Sequence, residues 1–376
     1  NSSRIAFLLC SFLLYLFAAK YIEKCRAGNF SSLLCYQPYI VRLHLFLFFS
    51  PTNAIHPSIR SSTKTTGPVM VIPALAKKAK QATIDKRKEM IETQPEHPVM
   101  KKMEELAATK EPKASTLIRD ALKKPNGTLS LVAEYRRKLK SGFIQEMLEP
   151  YFLSRVYRMA GAKTAAVYID ENVGGATLED LKEIVDEQAS CKGEYPGPMP
   201  VVAHDLIISE YQLAEIAATG ADGVTLSLPM NGAERTAELK LAAEKLGLET
   251  IAQVTNAEEI GQAADMGFTM IGIKANTETL HELYKHIPEG TLSIAFLDRY
   301  SDEGLSEIED AWSLRAIGYN TVWVGDIIYK GGMEHHESTK AIIKAFLAKT
   351  SVNFGRATGK SGKGEGAKEY LGTLLM

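Results

Sequence analysis

Short apolar runs alternate regularly with longer helical stretches from Leu129 onward. Eight runs rich in β-branched residues predict strands, and the stretches between them, about 12 to 18 residues long, have helical periodicity. Gly220, Gly247, Gly267 and Gly318 each follow a helical stretch, where a left-handed C-cap favours glycine. Eight such units predict an α/β protein with a (β/α)8 TIM barrel, and an open doubly wound sheet is the alternative. The predicted strands are residues 129–135, 165–169, 201–205, 223–228, 250–254, 270–273, 292–296 and 321–325.

The regions on either side of the barrel differ from it in composition. Residues 74–110 are rich in Lys, Glu, Ala and Met and contain Pro95 and Pro98, which predicts an N-terminal extension of two amphipathic helices separated by a proline turn. Glycine and lysine dominate the C-terminal stretch, which predicts a flexible tail. The predicted parts are a leader at 1–69, a helical extension at 70–114, the barrel at 115–349 and the tail at 350–376.

Two interpretations of residues 1–69 remain open. Residues 5–19 are almost wholly apolar, but they are shorter than the roughly 20 residues of a membrane-spanning helix, so we expect no stable membrane span. An apolar segment followed by a basic, hydroxylated, acid-poor stretch is typical of import into a plastid. Alternatively, because the first methionine is Met70, these residues are leader sequence outside the protein, which is then cytoplasmic.

Charge and cysteine content exclude several classes of partner and ligand. The chain has 44 Lys and Arg against 45 Asp and Glu, a net charge of -1, so it lacks the basic excess of a nucleic-acid-binding protein. Beyond Cys35 the one cysteine is Cys191, which rules out an internal disulfide or a thiolate cluster there. We therefore predict no nucleic-acid partner, no metal site and no cofactor.

Polar residues stand where the predicted strands end. In a (β/α)8 barrel the functional side chains come from the carboxyl ends of the strands. The candidate residues are therefore Glu134, Arg136, Lys138 and Ser141 at and after strand 1, His204 on strand 3, Gln253 on strand 5, Lys274 and Asn276 after strand 6, Asp298 after strand 7, and Gly325 at strand 8.

Several of these stretches resemble the indole-3-glycerol phosphate synthase family. Residues 131–138 read Leu-Val-Ala-Glu-Tyr-Arg-Arg-Lys and are followed by Lys-Ser-Gly, and residues 177–181 read Thr-Leu-Glu-Asp-Leu. The resemblance covers roughly residues 115–347. It implies a barrel of tryptophan biosynthesis, a carboxy-lyase that closes a phosphorylated carboxyphenylamino-deoxyribulose substrate into indoleglycerol phosphate without a cofactor.

The same resemblance identifies positions at which this chain departs from the family. The family's acid, a lysine ending strand 3, is His204 here, and its strand 1 lysine is Arg136. The strand 5 carboxylate is Gln253, whereas Glu134, Lys138, Ser141 and Gly325 keep the family's residues. After strand 6, Lys274 and Asn276 stand where the family has an asparagine and an arginine. Leu297-Asp298 replaces a phosphate-binding Ser-Gly pair, and Gly174 replaces an aromatic residue.

These departures weaken the implied chemistry. Gln253 cannot accept a proton, and Arg136 cannot release one at neutral pH, although His204 could act as an acid. A carboxylate at Asp298 about 4 Å from a substrate phosphate would cost on the order of 4 kcal/mol. We expect Glu134 to neutralise Arg136 and Lys138 in an inactive site, with a role in substrate binding as the alternative.

Three hypotheses for function follow. The first is a barrel of the synthase family that has lost catalysis and acts as a binding or scaffold protein in a protein assembly, with the charged helices and the tail as docking segments. The second is an active synthase with a rebuilt site, in which His204 is the acid. The third is a different carbonyl enzyme in which Lys274 forms a Schiff base; the competing interpretation is that Lys274 is ion-paired with Glu134 or Asp298.

Overall fold

A computed structural model describes residues 73–124, 128–139, 149–297, 306–329 and 336–348. Met70–Met376 is a separate compact unit, and the whole barrel lies in it. The leader predicted at 1–69 and the tail predicted at 350–376 lie outside the described residues. Within the described ranges, every helix is too short or too polar to cross a bilayer.

Eight parallel strands form a closed barrel in which each strand pairs with the next and the eighth pairs with the first. The predicted (β/α)8 barrel is confirmed, and the closure rules out the open-sheet alternative. Each predicted strand boundary differs from the observed one by at most one residue. The strands are β1 Ser130–Tyr135, β2 Thr164–Tyr168, β3 Val201–His204, β4 Gly223–Ser227, β5 Glu249–Val254, β6 Met270–Ile273, β7 Leu292–Leu297 and β8 Thr321–Val324.

Helices precede the barrel and connect its strands. Two of them occupy the predicted N-terminal extension, and a third lies just before β1. Short 3-10 helices at Tyr284–His286 and Asp326–Tyr329 complete the described elements. The α-helices are α1 Pro73–Ile91, α2 Pro98–Ala108, α3 Leu117–Leu122, α4 Pro150–Ala160, α5 Leu178–Ser190, α6 Glu210–Thr219, α7 Leu228–Asn231, α8 Ala233–Lys245, α9 Ala257–Asp265, α10 Thr277–Leu283, α11 Ser306–Ile317 and α12 His336–Phe346.

The barrel interior contains an apolar layer, and polar residues lie above it. Side chains two residues apart on a strand point to the same side. Val132, Val202 and Ile251 belong to the interior layer, so Glu134, His204 and Gln253 point inward one step closer to the carboxyl end. The complete interior layer is Ile118, Leu122, Val132, Ala166, Val202, Ile251, Met270, Leu292, Ile294, Phe296 and Trp323.

Helix α1 is held at the carboxyl end of the barrel by buried charges. Lys80 donates to Asp205, which follows β3, at 2.5 Å and to Asp170, which follows β2, at 3.2 Å. Two turns further along α1, Arg87 lies 3.0 Å from Glu215 of α6. Residues spaced in this way share one face of a helix, so a single face of α1 provides both contacts.

Asp205 is fixed by three hydrogen bonds between the end of β3 and its surroundings. It accepts from Lys80, from the Leu206 amide at 2.7 Å and from Gln212 at 3.2 Å, whereas the N-cap of α6 is Ser209. Burial raises the pKa of Asp205, while the charge of Lys80 acts against that rise.

Replacing Lys80 tests how much this contact contributes to stability. Lys80→Met removes the cation and leaves two carboxylates at the edge of the barrel without it, so we expect a loss of about 3 kcal/mol in the free energy of unfolding. Lys78→Met on the exposed side of α1 should change it by less than about 0.5 kcal/mol. Urea denaturation of both variants gives the values, and equal effects would contradict the role assigned to Lys80.

Candidate active site at the carboxyl end of the barrel

Four side chains from β1, β3 and the segment after β8 form a connected polar network. The two carboxylate oxygens of Glu134 bind Arg136 Nη2 and His204 Nδ1. The other terminal nitrogen of Arg136, Nη1, donates to Asp326 Oδ1. Glu134 is 0% exposed, Arg136 4%, His204 5% and Asp326 1%. We call these four residues the mouth network.

The strand register brings the network together. Glu134 is on β1 and Arg136 directly follows its last residue, so the two are two residues apart and point to the same side. The pairing of Ala133 with Val324 places the end of β8 beside them, and Asp326 opens the 3-10 helix that follows. Gly325 lies between the last residue of β8 and Asp326. A Cβ atom at Gly325 would contact the Arg136 guanidinium and approach Glu134 Oε2 to 2.8 Å. A glycine is therefore required for Arg136 to reach Asp326.

Two buried tyrosines fix the end of β1. Tyr329 donates its hydroxyl to the backbone carbonyl of Glu134 at 2.9 Å, and its oxygen accepts from the Arg136 amide at 3.4 Å. Tyr157 of α4 lies 2.5 Å from the same hydroxyl. Burial raises the pKa of both Tyr157 and Tyr329, so both are neutral donors at physiological pH.

Aromatic rings surround His204. Tyr168 stacks on it with ring centroids 4.3 Å apart and an interplanar angle of 14°. Trp323 meets it edge-on at 5.5 Å, and Phe296 lies at 5.9 Å. The Arg136 guanidinium is 5.4 Å from the Tyr168 ring. Packing therefore fixes the orientation in which His204 meets Glu134.

The network keeps Glu134 ionised. Burial alone would raise the pKa of Glu134, but the charges and hydrogen bonds of Arg136 and His204 outweigh it and hold the pKa well below the usual range. A carboxylate with such a low pKa is a weak proton acceptor near neutral pH. Glu134 is therefore suited to an ion pair and poorly suited to general-base catalysis.

Other predicted site residues lie away from the network. Lys138 is exposed and donates to the Asn172 carbonyl at 2.9 Å. The sequence analysis expected Glu134 to neutralise Lys138, and this part of the prediction is wrong. Asn276 is exposed and caps α10 by accepting from the Thr279 amide at 2.8 Å. A side chain used as a helix cap is not directed at a substrate.

The remaining predicted residues divide into two groups. Gln253 is buried at the end of β5, and Lys274 is half-buried after β6. Ser141 and Asp298 lie outside the described residues. Over the part of the chain that is described, no group of three or more His, Cys, Asp or Glu residues is placed to hold a metal ion.

Asp326 is the residue that the sequence analysis missed. Many barrels of this class bind phosphate with the loops after strands 7 and 8, and Asp326 puts a buried carboxylate in that region. The available signal was a charged residue directly after the strand-ending Gly325. Its partner Arg136 is 190 positions away in sequence, so the pairing required the fold.

Fold and site together define a (β/α)8 barrel with its polar residues gathered at the carboxyl ends of the strands, as in barrel enzymes. The model of the indole-3-glycerol phosphate synthase family matches residues 80–344. The chain therefore belongs to this family, which binds a phosphorylated substrate in tryptophan biosynthesis. The resemblance predicted from the sequence is confirmed.

Curated relatives agree with the family assignment. The chain is 29% identical over 173 residues to the indole-3-glycerol phosphate synthase of Leptospira interrogans, a match that covers 46% of this chain and 64% of that protein. It is 29% identical over 234 residues to the synthase of Halalkalibacterium halodurans, a match that covers 57% of this chain and 84% of that protein.

A comparison with solved structures gives a thiamine phosphate pyrophosphorylase from Pyrococcus furiosus. It superimposes with a TM-score of 0.40 at 17% identity, over 58% of this chain and 98% of that chain.

The pH dependence of stability tests the state of Glu134. A carboxyl whose pKa is lowered by folding stabilises the folded protein above its unfolded pKa, near 4.5, and this stabilisation is lost as the pH falls towards the folded pKa. We therefore expect Glu134→Gln to be less stable than the unaltered protein at pH 7. The difference should shrink by on the order of 2 kcal/mol between pH 5 and pH 3.

Denaturation curves at several pH values measure this difference. Glu89→Gln on the exposed surface of α1 is the matched control and should follow the unaltered protein throughout. A gap between Glu134→Gln and the unaltered protein that stays constant down to pH 3 would show that Glu134 is not held ionised by its neighbours.

Proposed function

We propose that this protein does not form indoleglycerol phosphate and that it acts as a non-catalytic binding or scaffold protein of the synthase family. The observation that carries the proposal is the mouth network. Glu134, the carboxylate retained from the family pattern, is fully buried and bound by Arg136 and His204, which occupy the family's two lysine positions.

The implied reaction needs groups that the mouth network does not supply. A general acid must reach a carbonyl oxygen, but His204 Nδ1 is bound to Glu134 and the ring is packed among aromatic residues. The position of the base is Gln253, whose amide cannot accept the proton. The substrate phosphate must be stabilised, yet the segment after β8 contributes the buried carboxylate of Asp326, whose negative charge opposes a phosphate bound beside it.

One observation favours an active synthase as the second candidate. His204 and Glu134 form an imidazole–carboxylate pair inside the barrel, and such a pair can orient an acid. This function requires the pair to become accessible to the substrate. Lys274, the nucleophile of the third hypothesis, is only half-buried, so desolvation gives little support to Schiff-base chemistry there.

A direct assay separates these functions. Residues 70–376, incubated with the carboxyphenylamino-deoxyribulose phosphate substrate, should give no indoleglycerol phosphate, because base and phosphate site are replaced. The synthase of Leptospira interrogans is the positive control. Product formation that disappears in His204→Ala would overturn the proposal in favour of the second candidate, and rescue of a tryptophan auxotroph lacking the synthase would do the same.

Phosphate binding tests the electrostatic part of the argument separately. Isothermal titration of the unaltered protein with inorganic phosphate should give no saturable binding, whereas Asp326→Asn should gain measurable affinity, because Arg136 then has one carboxylate partner fewer. Circular dichroism checks that the variant is folded. Tight phosphate binding by the unaltered protein would remove the objection to a synthase.

A further inference from the structure

A cavity of about 290 Å³ opens at the amino end of the barrel, the end opposite to the mouth network. Its walls are the segment 112–116, helices α3 and α8, and the starts of β5 and β6 at Glu249 and Met270. Ligand pockets in proteins have volumes from roughly 300 Å³ upward. The cavity is therefore large enough for a small organic molecule, and we call it the amino-end cavity.

Hydrogen bonds fix the walls of the amino-end cavity. The buried carboxylate of Glu249 accepts from the Ser115 hydroxyl and from two backbone amides of α3, at distances between 2.8 and 3.2 Å. The Lys113 amide donates to the Glu244 carbonyl of α8 at 2.9 Å. A ligand therefore meets walls that are already ordered, which lowers the free-energy cost of binding.

Arg119 of α3 is the cation of the amino-end cavity that no carboxylate neutralises within the described ranges. Lys240 pairs with Glu244 at 2.6 Å, and Lys113 pairs with Glu105 of α2. The Arg119 guanidinium donates from Nη2 to a backbone carbonyl of the loop before β7 at 3.3 Å, which leaves other N–H groups for a ligand. A planar guanidinium with free donors matches the two oxygens of a carboxylate.

Thr250 adds a second group that is available to a ligand. It lines the cavity and is only 7% exposed. Because its neighbour Ile251 belongs to the interior layer, Thr250 points to the outer side of β5. Its hydroxyl has no hydrogen-bond partner in the part of the chain that the structure describes. A buried hydroxyl without a partner is unfavourable, and a ligand oxygen would relieve that cost.

We propose that the amino-end cavity binds a small organic monocarboxylate. The carboxylate accepts from the Arg119 guanidinium and from the Thr250 hydroxyl, and the apolar part of the ligand lies against the buried side chains of Leu248 and Met270. A second negative charge on the ligand would be opposed by the two carboxylates that line the same cavity. This inference goes beyond the proposed function, because the cavity and the mouth network lie at opposite ends of the barrel.

Isothermal titration of the full chain with benzoate tests the proposal. We expect saturable binding with a Kd of about 1 mM or lower. Benzamide has nearly the same shape without the charge, and acetate has the carboxylate without the apolar ring. Each of these two compounds should therefore bind roughly tenfold more weakly than benzoate.

Substitutions at the cavity test the assigned contacts. Arg119→Gln removes the charge, keeps the backbone amide bonded to Glu249, and should weaken benzoate binding by roughly tenfold or more, whereas Arg119→Lys should weaken it less. Thr250→Val removes only the hydroxyl and should weaken binding about fivefold. Arg155→Gln, at an exposed arginine of α4, is the matched control and should leave binding unchanged.

Circular dichroism checks that each variant is folded. The absence of saturable benzoate binding to the unaltered protein would overturn the proposal. Binding that Arg119→Gln leaves unchanged would place benzoate elsewhere on the protein and would also overturn it. Equal affinities for benzamide and benzoate would show that the cavity does not recognise a carboxylate.

Discussion

The guanidinium of Arg136 lies between two buried carboxylates, and the arrangement at the carboxyl end of the barrel depends on it. Removing charges from water is costly, and a buried ion pair is tolerated only where good geometry and further hydrogen bonds compensate. Glu134, Asp326 and His204 provide those contacts, and Tyr329 fixes the backbone that carries Glu134. A substrate entering this region would have to displace contacts that the folded chain makes with itself.

A second cation is used in the same way at the edge of the barrel. Lys80 of α1 bridges Asp170 and Asp205, as Arg136 bridges Glu134 and Asp326. In both places one buried basic side chain neutralises two carboxylates at the carboxyl end of the barrel. Attraction for an anionic ligand depends on positive charge that the protein has not already compensated. These two pairings therefore reduce the attraction of this end of the barrel for a phosphorylated ligand.

The fold was predictable from the sequence, because its signals are local. Strand-length apolar runs, helical periodicity and C-cap glycines such as Gly220 act within a few residues, and they located each strand to within one residue. The site was only partly predictable. The two-residue periodicity of strands placed Glu134 and His204 inside the barrel. Asp326, however, is 190 positions from its partner Arg136, and Asp205 is 125 positions from its partner Lys80, so only the closed barrel brings these pairs together.

The mouth network and the outer surface of the barrel are physically connected. Tyr157 belongs to the buried face of α4, and its hydroxyl meets that of Tyr329, which in turn binds the carbonyl of Glu134. Active sites commonly retain strained or unsatisfied groups that reduce stability, whereas compensated polar groups make a region rigid. A barrel whose strand ends are satisfied internally can hold α4 firmly against its core. The proposed role as a binding or scaffold protein rests on this internally compensated arrangement.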